Sequence, residues 1–137
     1  VQYCATKEEV LEHSDVISPN IPLMESSFHI IDADAIAKMK QDVIIVNTGR
    51  GGLVDTEALV AGLESGKVKA AGLDVFENEP FHDTEHPLMK MENVILTPHV
   101  AYQSTESSRE LEYKSALYAM QGAMGQIPVS AVNRKCR

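Results

Sequence analysis

Arg50, Glu79 and His99 are the residues whose types and placement in this sequence suggest chemistry on a carbonyl compound. Each follows an apolar run that is typical of a buried strand. A guanidinium can hold a carboxylate through two parallel hydrogen bonds. An imidazole next to a carboxylate can deliver a proton to a carbonyl oxygen while a hydride arrives at the carbon. The three side chains together therefore suggest reduction of a keto acid, or the reverse oxidation of a hydroxy acid.

The immediate neighbours of Arg50 and His99 favour this interpretation. Pro98 stiffens the turn that presents His99. Glycines allow a ligand to approach the backbone closely, and three of them flank Arg50, namely Gly49, Gly51 and Gly52. Taken alone, Arg50 could be a solvated turn residue and His99 an ordinary histidine at the end of a strand.

The elements that must position these residues are predicted to form an α/β fold. Apolar runs alternate with helix-like stretches, which is typical of strand–helix units on a parallel sheet. We expect strands at 16–18, 43–48, 70–76 and 94–97, and helical segments at 25–40, 55–64 and 104–124. Ligands bind such sheets at the carboxyl ends of the strands. The polar residues that stand out fall at those ends: Asn20, Thr48, Arg50, Glu79 and His99.

Five segments, in order, resemble the D-isomer-specific 2-hydroxyacid dehydrogenases, including the D-lactate dehydrogenase-like members. They are DVIS at 15–18, NIPL at 20–23, VNTGRGGLVD at 46–55, AGLDVFENEP at 71–80 and NVILTPH at 93–99. The resemblance runs over about residues 10 to 105. It implies an oxidoreductase and the second half of a Rossmann-type NAD-binding domain, followed by a long C-terminal helix.

The resemblance also implies a role for each site residue. Arg50 would bind the substrate carboxylate, Glu79 would orient and charge His99, and His99 would be the acid/base. NAD would be the cofactor, contacted by Ile21, Pro22, Ser27, Thr48, Gly49, Arg50 and Asp74. Asp74 could instead cap a turn. Glu77 is an alternative to Glu79 in the relay, but the family pattern selects Glu79 and leaves Glu77 as a solvated charge. A glutamate in the relay also separates the chain from the related formate dehydrogenases, which use a glutamine.

Residues 1–103 are expected to be the distal half of the NAD-binding domain, and residues 104–137 a helix and tail that return toward a substrate domain. The glycine-rich G-x-G-x-x-G turn and the acidic residue that binds the adenosine ribose are absent from this sequence. By the resemblance they would precede Val1, as would most of the substrate domain. The isolated chain is therefore expected to bind NADH poorly and to be inactive. The full-length protein is expected to be a homodimer.

Bulk composition excludes several classes of partner. A net charge of −8 over 137 residues argues against nucleic acid and against anionic lipid, since both attract basic surfaces. No apolar run reaches the ~18 residues of a membrane helix. Two cysteines without metal-ligand spacing, and no signal peptide, favour the cytoplasm. The sequence H-x-x-E-H at 82–86 matches a zinc-peptidase motif, but prolines flank it and its apolar residues show no helical periodicity. No metal site is therefore predicted.

Several alternatives stay open at this stage. Tyr102 after Ala101 resembles the D-lactate branch of the family, whereas Gln103 departs from it. Phosphoglycerate or glyoxylate reduction therefore stays open as the reaction. NADP in place of NAD is also open. A different class of function is an NAD(H)-sensing binding protein, like the transcriptional corepressors that share this fold and these residues. A third is a non-catalytic remnant of an enzyme.

Overall fold

The computed structural model describes residues 3–132. Cys136 and the end of the predicted C-terminal tail lie outside the described residues. The chain divides into two compact units, one ending at Ala101 and the other beginning at Tyr102.

The first unit is built on a four-stranded sheet in which all neighbouring strands are parallel. The strands, in their order across the sheet, are β1 (Val16–Ile17), β2 (Val43–Asn47), β3 (Val68–Leu73) and β4 (Val94–Leu96). The helices are α1 (Lys7–His13), α2 (Ala33–Lys38) and α3 (Thr56–Glu64), with 3₁₀ turns at Glu25–Ser27, Gly51–Leu53 and Pro87–Met89. Since every strand runs the same way, all four carboxyl ends meet at one edge. The predicted α/β fold with a parallel sheet is confirmed.

The core forms where alternate residues of the strands face the helices. Along β2, Val43, Ile45 and Asn47 are buried while the residues between them are half-buried. Val43 and Ile45 pack in one apolar cluster with Leu59 and Leu63 of α3. Burying side chains of this size contributes roughly 1.5–3 kcal/mol each. This packing determines which face of β2 is turned toward the helices, and it therefore also orients the loop that follows the carboxyl end of β2.

Local capping explains where α3 begins and ends. The Asp55 carboxylate accepts hydrogen bonds from the backbone amides of Glu57 and Ala58, two of the first-turn donors that lack a partner within the helix. Beyond the last turn, Gly66 takes a left-handed φ of 74°, a conformation that glycine adopts without steric cost. Both ends agree with the prediction from sequence.

The sequence did not predict α1, and it extended the third strand too far. The Thr6 side chain caps α1 by accepting from the amide of Glu9. The predicted strand 70–76 is observed at 68–73, because from Asp74 the chain leaves the sheet to bind the turn that follows β4.

The second unit contains one long helix, α4 (Thr105–Ala123). Ser104 caps it through a reciprocal pair of hydrogen bonds with Ser107, and Gly125 follows it with a φ of 72°. The long helix predicted at 104–124 is confirmed. Among residues 3–132, no helix combines the length and the apolar character needed to cross a lipid bilayer.

Candidate active site

The loop after β2 presents Arg50, and a buried amide shapes that loop. Asn47 is 1% exposed; its Nδ2 donates to the carbonyl of Arg50 at 2.9 Å, and its Oδ1 accepts from the amide of Gly49 at 3.1 Å. Arg50 is exposed, and its Nη1 donates to the carbonyl of Gly49. A short polar side chain at the end of a strand commonly binds its own backbone in this way.

His99 and Glu79 form a hydrogen-bonded pair although 20 residues separate them. The distance from His99 Nδ1 to Glu79 Oε2 is 2.8 Å, and Glu79 Oε1 accepts from the amide of Phe76 at 2.9 Å. The Phe76 amide and then the His99 hydrogen bond hold the pKa of Glu79 below its ordinary value, with a smaller contribution from the charge of Arg50. The carboxylate is therefore ionised near neutral pH and accepts the Nδ1 proton of His99.

Asp74 anchors the turn that carries His99. Its buried carboxylate accepts hydrogen bonds from Thr97 Oγ1 at 2.5 Å and from the amides of Val100 and Ala101 at 2.8 Å each. Its backbone carbonyl also accepts from the amide of His99 at 2.8 Å. Burial acts to raise the pKa of Asp74, but the hydrogen bonds from Thr97, Ala101 and Val100 outweigh it and leave the pKa below its ordinary value.

These contacts hold His99 in an uncommon backbone conformation. Its φ is +56°, in the left-handed region, which non-glycine residues occupy at a cost and where surrounding structure must compensate. The four hydrogen bonds to Asp74 supply that compensation. Asn47 and Thr97 were not predicted from the sequence as supporting residues. An asparagine that directly ends an apolar, β-branched run is the signal that could have found Asn47.

The Arg50 loop and the Glu79 loop touch backbone to backbone. A Cβ placed on Gly51 would lie 2.0 Å from the carbonyl carbon and oxygen of Phe76 and 2.4 Å from the amide nitrogen of Glu77. Real Cβ atoms do not approach backbone that closely, so this position requires glycine. The contact brings the residue after Arg50 directly against the loop that carries Glu79.

An apolar pocket of about 540 Å³ borders the His99–Glu79 pair. Aromatic, aliphatic and proline side chains form most of its walls. The residues that line the pocket are Phe76, Glu79, Pro80, Phe81, Met89, Leu96, Thr97, Pro98 and His99.

The residues predicted to contact NAD fall into two groups. Ile21, Pro22, Gly49 and Arg50 line one groove of about 530 Å³ together with Leu23. A groove with apolar walls and one guanidinium could take a flat ring together with a nearby phosphate or carboxylate. Thr48 is exposed beside this loop.

Ser27 and Asp74 form the second group, because the polar atoms of their side chains are hydrogen-bonded to other residues of the protein. Ser27 is buried; its hydroxyl donates to the carbonyl of Pro22 at 2.8 Å and accepts from the amide of Met24 at 2.8 Å. Asp74 binds the turn after β4, as described above. The role of cofactor contact predicted for these two residues stays a prediction.

Glu77 is exposed, as its interpretation as a solvated charge implies, but both of its carboxylate oxygens are bound within the protein. Its Oε1 accepts from the amide and hydroxyl of Thr56 at 2.9 and 2.6 Å, and its Oε2 lies 2.8 Å from Nε2 of His29. The interpretation of 82–86 as a loop is confirmed, because the segment contains a turn and no helix. Within residues 3–132, no three histidine, cysteine, aspartate or glutamate side chains are arranged to hold a metal ion.

Comparison with known proteins identifies the family. The family described as "D-isomer specific 2-hydroxyacid dehydrogenase, NAD binding domain" matches residues 1–101. The chain belongs to this family. The resemblance derived from the five sequence segments is thereby confirmed. NAD as the cofactor of this domain is confirmed as well, since the matched domain is the NAD-binding one.

Individual D-2-hydroxyacid dehydrogenase relatives cover most of the chain. It is 38% identical over 128 residues to a glyoxylate reductase of Thermofilum pendens, a match that spans 93% of this chain and 38% of the relative. It is 50% identical over 105 residues to a hydroxypyruvate reductase of Thermotoga maritima, spanning 76% of this chain and 34% of the relative. The solved D-lactate dehydrogenase with NAD+ from Lactobacillus jensenii superposes with a TM-score of 0.84 at 35% identity, covering 95% of this chain and 43% of that one.

These matches also define how much of the relatives the chain represents. It spans about two-fifths of the length of the glyoxylate reductase and of the solved D-lactate dehydrogenase. The TM-score confirms the Rossmann-type fold predicted from sequence. The family and fold are thus shown, while the activity of the whole protein follows as a proposal.

Proposed function

We propose that this chain carries the acid/base and carboxylate-binding residues of an NAD-dependent D-2-hydroxyacid dehydrogenase, which transfers a hydride between NAD(H) and a 2-keto or D-2-hydroxy acid. The observation that carries this proposal is the 2.8 Å contact between His99 Nδ1 and Glu79 Oε2 at the edge of the sheet where Arg50 also lies. A family match over residues 1–101 supports it.

His99 is proposed to move the proton of the reaction. Because Nδ1 donates to Glu79, the ring presents Nε2, which has no hydrogen bond to any described residue. Nε2 would give its proton to the keto oxygen during reduction and take it back from the hydroxyl during oxidation. When bound, NADH would supply the hydride that joins the keto carbon in reduction, and NAD+ would accept the hydride that leaves the same carbon in oxidation. Glu79 balances the positive charge of the imidazolium and sets which nitrogen carries the exchangeable proton.

Arg50 is proposed to bind the carboxylate of the substrate. Its exposed guanidinium leaves one edge for two parallel hydrogen bonds to a carboxylate, while Nη1 is tethered to the carbonyl of Gly49. Holding the carboxylate there orients the adjacent keto carbon, and orientation of this kind can lower a barrier by several kcal/mol, up to roughly 7–11.

The groove beside Arg50 is proposed to hold the nicotinamide half of NAD through Ile21, Pro22, Thr48 and Gly49. Ser27 would act through Pro22, whose carbonyl accepts from its hydroxyl. Asp74 would act through the His99 turn. The whole protein is proposed to act on a small 2-keto or 2-hydroxy acid, since the names of its relatives include glyoxylate, hydroxypyruvate and lactate. It is also proposed to be a homodimer.

The test is NADH oxidation by the longer protein that contains this chain, offered pyruvate, 2-ketoisocaproate, hydroxypyruvate and glyoxylate in parallel. We expect turnover on at least one acid, a loss of about 10²–10⁴-fold in His99→Ala, and unchanged turnover in His82→Ala, an exposed histidine of the 82–86 loop. The isolated 137-residue chain is expected to show no turnover. NADH binding without turnover on any acid would contradict the proposal and favour an NAD(H)-sensing binding protein.

A further inference from the structure

The loop after β3 carries two glutamates that each bind a histidine. Glu77 lies 2.8 Å from His29 and Glu79 lies 2.8 Å from His99. Glu79 lines the apolar pocket described above, whereas Glu77 lines a polar pocket of about 500 Å³. Three residues form walls of both pockets, so this loop is the partition between them: Phe76, Pro80 and Phe81.

Both oxygens of Glu77 are bound by elements that lie far away in the sequence. Oε1 accepts from the amide and the hydroxyl of Thr56, the first residue of α3. That amide is a helix N-terminal donor without a partner inside the helix, and the helix dipole favours a negative charge there. Oε2 binds Nε2 of His29. Partial burial acts to raise the pKa of Glu77, but the bonds from Thr56 and His29 lower it below its ordinary value.

His29 is itself held firmly in place. Its amide donates to the carbonyl of Gly52 at 2.8 Å, and its φ is +51°. Its ring stacks on Phe28 with centroids 3.9 Å apart, and its Nδ1 lies 3.6 Å from Oδ2 of Asp55. Each ring nitrogen therefore faces a carboxylate. Nε2 is hydrogen-bonded to Glu77, and Nδ1 faces Asp55 at more than hydrogen-bond distance, so the pair connects the 76–79 loop to the segment that precedes α2.

The segment that Glu77 ties down is the one that sets the position of Glu79. Phe76, the residue before Glu77, donates its amide to Glu79 Oε1. The backbone of Phe76 and Glu77 packs against Gly51, next to Arg50. Loss of the Glu77 contacts would free this backbone to move away from Gly51 and carry the Phe76 amide with it.

We propose that Glu77, bound to Thr56 and His29, is the positioning residue for the Glu79–His99 pair. The bonds fix the 76–79 loop against α3, the loop in turn presents the Phe76 amide to Glu79, and Glu79 then meets His99 at hydrogen-bond distance. The proposal rests on the proposed function only in calling Glu79 and His99 the acid/base pair. The geometry it describes exists whether or not the protein turns over a substrate.

The test uses the 137-residue chain and two NMR signals that need neither cofactor nor substrate. One is hydrogen exchange of the Phe76 amide, and the other is the ¹⁵N shift of His99 Nδ1, which reports whether that nitrogen donates to a carboxylate. In Glu77→Ala we expect Phe76 exchange to rise roughly tenfold or more and the Nδ1 shift to move toward that of an unpaired ring. Glu77→Gln keeps an acceptor for Thr56 and is expected to restore both signals in large part.

Asn78→Ala is the matched control, because Asn78 lies between the two glutamates and its side chain makes no hydrogen bond to any described residue. It is expected to change neither signal. If Glu77→Ala does not fold, Thr56→Val decides the question, since it removes one donor to Oε1 and keeps the amide. Unchanged Phe76 exchange and Nδ1 shift in a destabilised Glu77→Ala or Thr56→Val protein would overturn the proposal and leave Glu77 as a cap of α3 alone.

Discussion

Replacing Asp74 by asparagine tests how the turn that carries His99 is held. The substitution conserves size and removes one charge. In the native protein one carboxylate oxygen accepts from Thr97 Oγ1 and the amide of Val100, and the other accepts from the amide of Ala101. An asparagine oxygen can still accept from Thr97 and Val100. Its NH₂ group must then face the amide of Ala101, which places two donors against each other.

The expected loss of stability follows from these three contacts. A hydrogen bond to a charged group contributes about 1.5–3 kcal/mol, and a neutral one about 0.5–1.5 kcal/mol. Asp74→Asn removes one charged bond and converts two others to neutral ones. We therefore expect the free energy of unfolding to fall by about 3 kcal/mol or more, a large fraction of the ~5–15 kcal/mol typical of a domain. The buried position of Asp74 prevents water from replacing the lost bond.

Urea denaturation of the wild-type and variant chains measures this difference. The control is Asp34→Asn, since Asp34 is exposed in the first turn of α2 and its charge there is worth about 0.3–1 kcal/mol. If Asp74→Asn cost no more than Asp34→Asn, the reasoning that charge-assisted bonds hold the turn would be refuted. A changed slope with denaturant would instead indicate an altered unfolded state.

The lowered pKa of Asp74 also sets the sign with which stability depends on pH. The pKa of Asp74 is lower in the folded protein than its ordinary value, so the group stabilises the fold fully above the unfolded pKa of about 3.9. That contribution is lost as the pH falls from there through the lower folded value. The gap between wild type and Asp74→Asn should accordingly be constant from about pH 5 to 7 and shrink below pH 4. A gap that widened on acidification would contradict the assigned direction.

Two further substitutions test the loop after β2, both by chemical denaturation. Gly51→Ala places a Cβ 2.0 Å from the Phe76 carbonyl and is expected to cost about 3 kcal/mol or more. By contrast, Gly122→Ala in α4, with nothing within 4 Å, should stabilise the helix by up to about 1 kcal/mol; equal effects at the two glycines would disprove the close contact. Asn47→Ala removes both bonds that shape the Arg50 loop and should cost about 2–3 kcal/mol. In the longer protein it should raise KM for the keto acid more than it lowers kcat, and a pure kcat effect would count against a role through Arg50.

The sequence alone determined the approximate positions of the four strands, the helices α3 and α4, and the identity of the family. Apolar β-branched runs and the Asp55 cap involve residues that are close in the chain. The strands and the start of α3 can therefore be predicted from local sequence. The pairing of His99 with Glu79 was predicted from the family resemblance. Spacing in the sequence does not show that two residues 20 positions apart meet in the fold. By contrast, α1 (Lys7–His13) was not predicted, and the predicted helical segment 25–40 is observed as a 3₁₀ turn at Glu25–Ser27 and the short helix α2.

Only the tertiary structure decided what Asp74 and Glu77 do. Asp74 binds residues 23 to 27 positions away, and the two partners of Glu77 lie 21 and 48 positions away. A sequence does not show which groups surround a carboxylate, so the simplest expectation is that water does. The actual surroundings depend on which loops meet at the edge of the sheet. Folding brings those loops together there, because every strand of the sheet is parallel and all four end at the same edge.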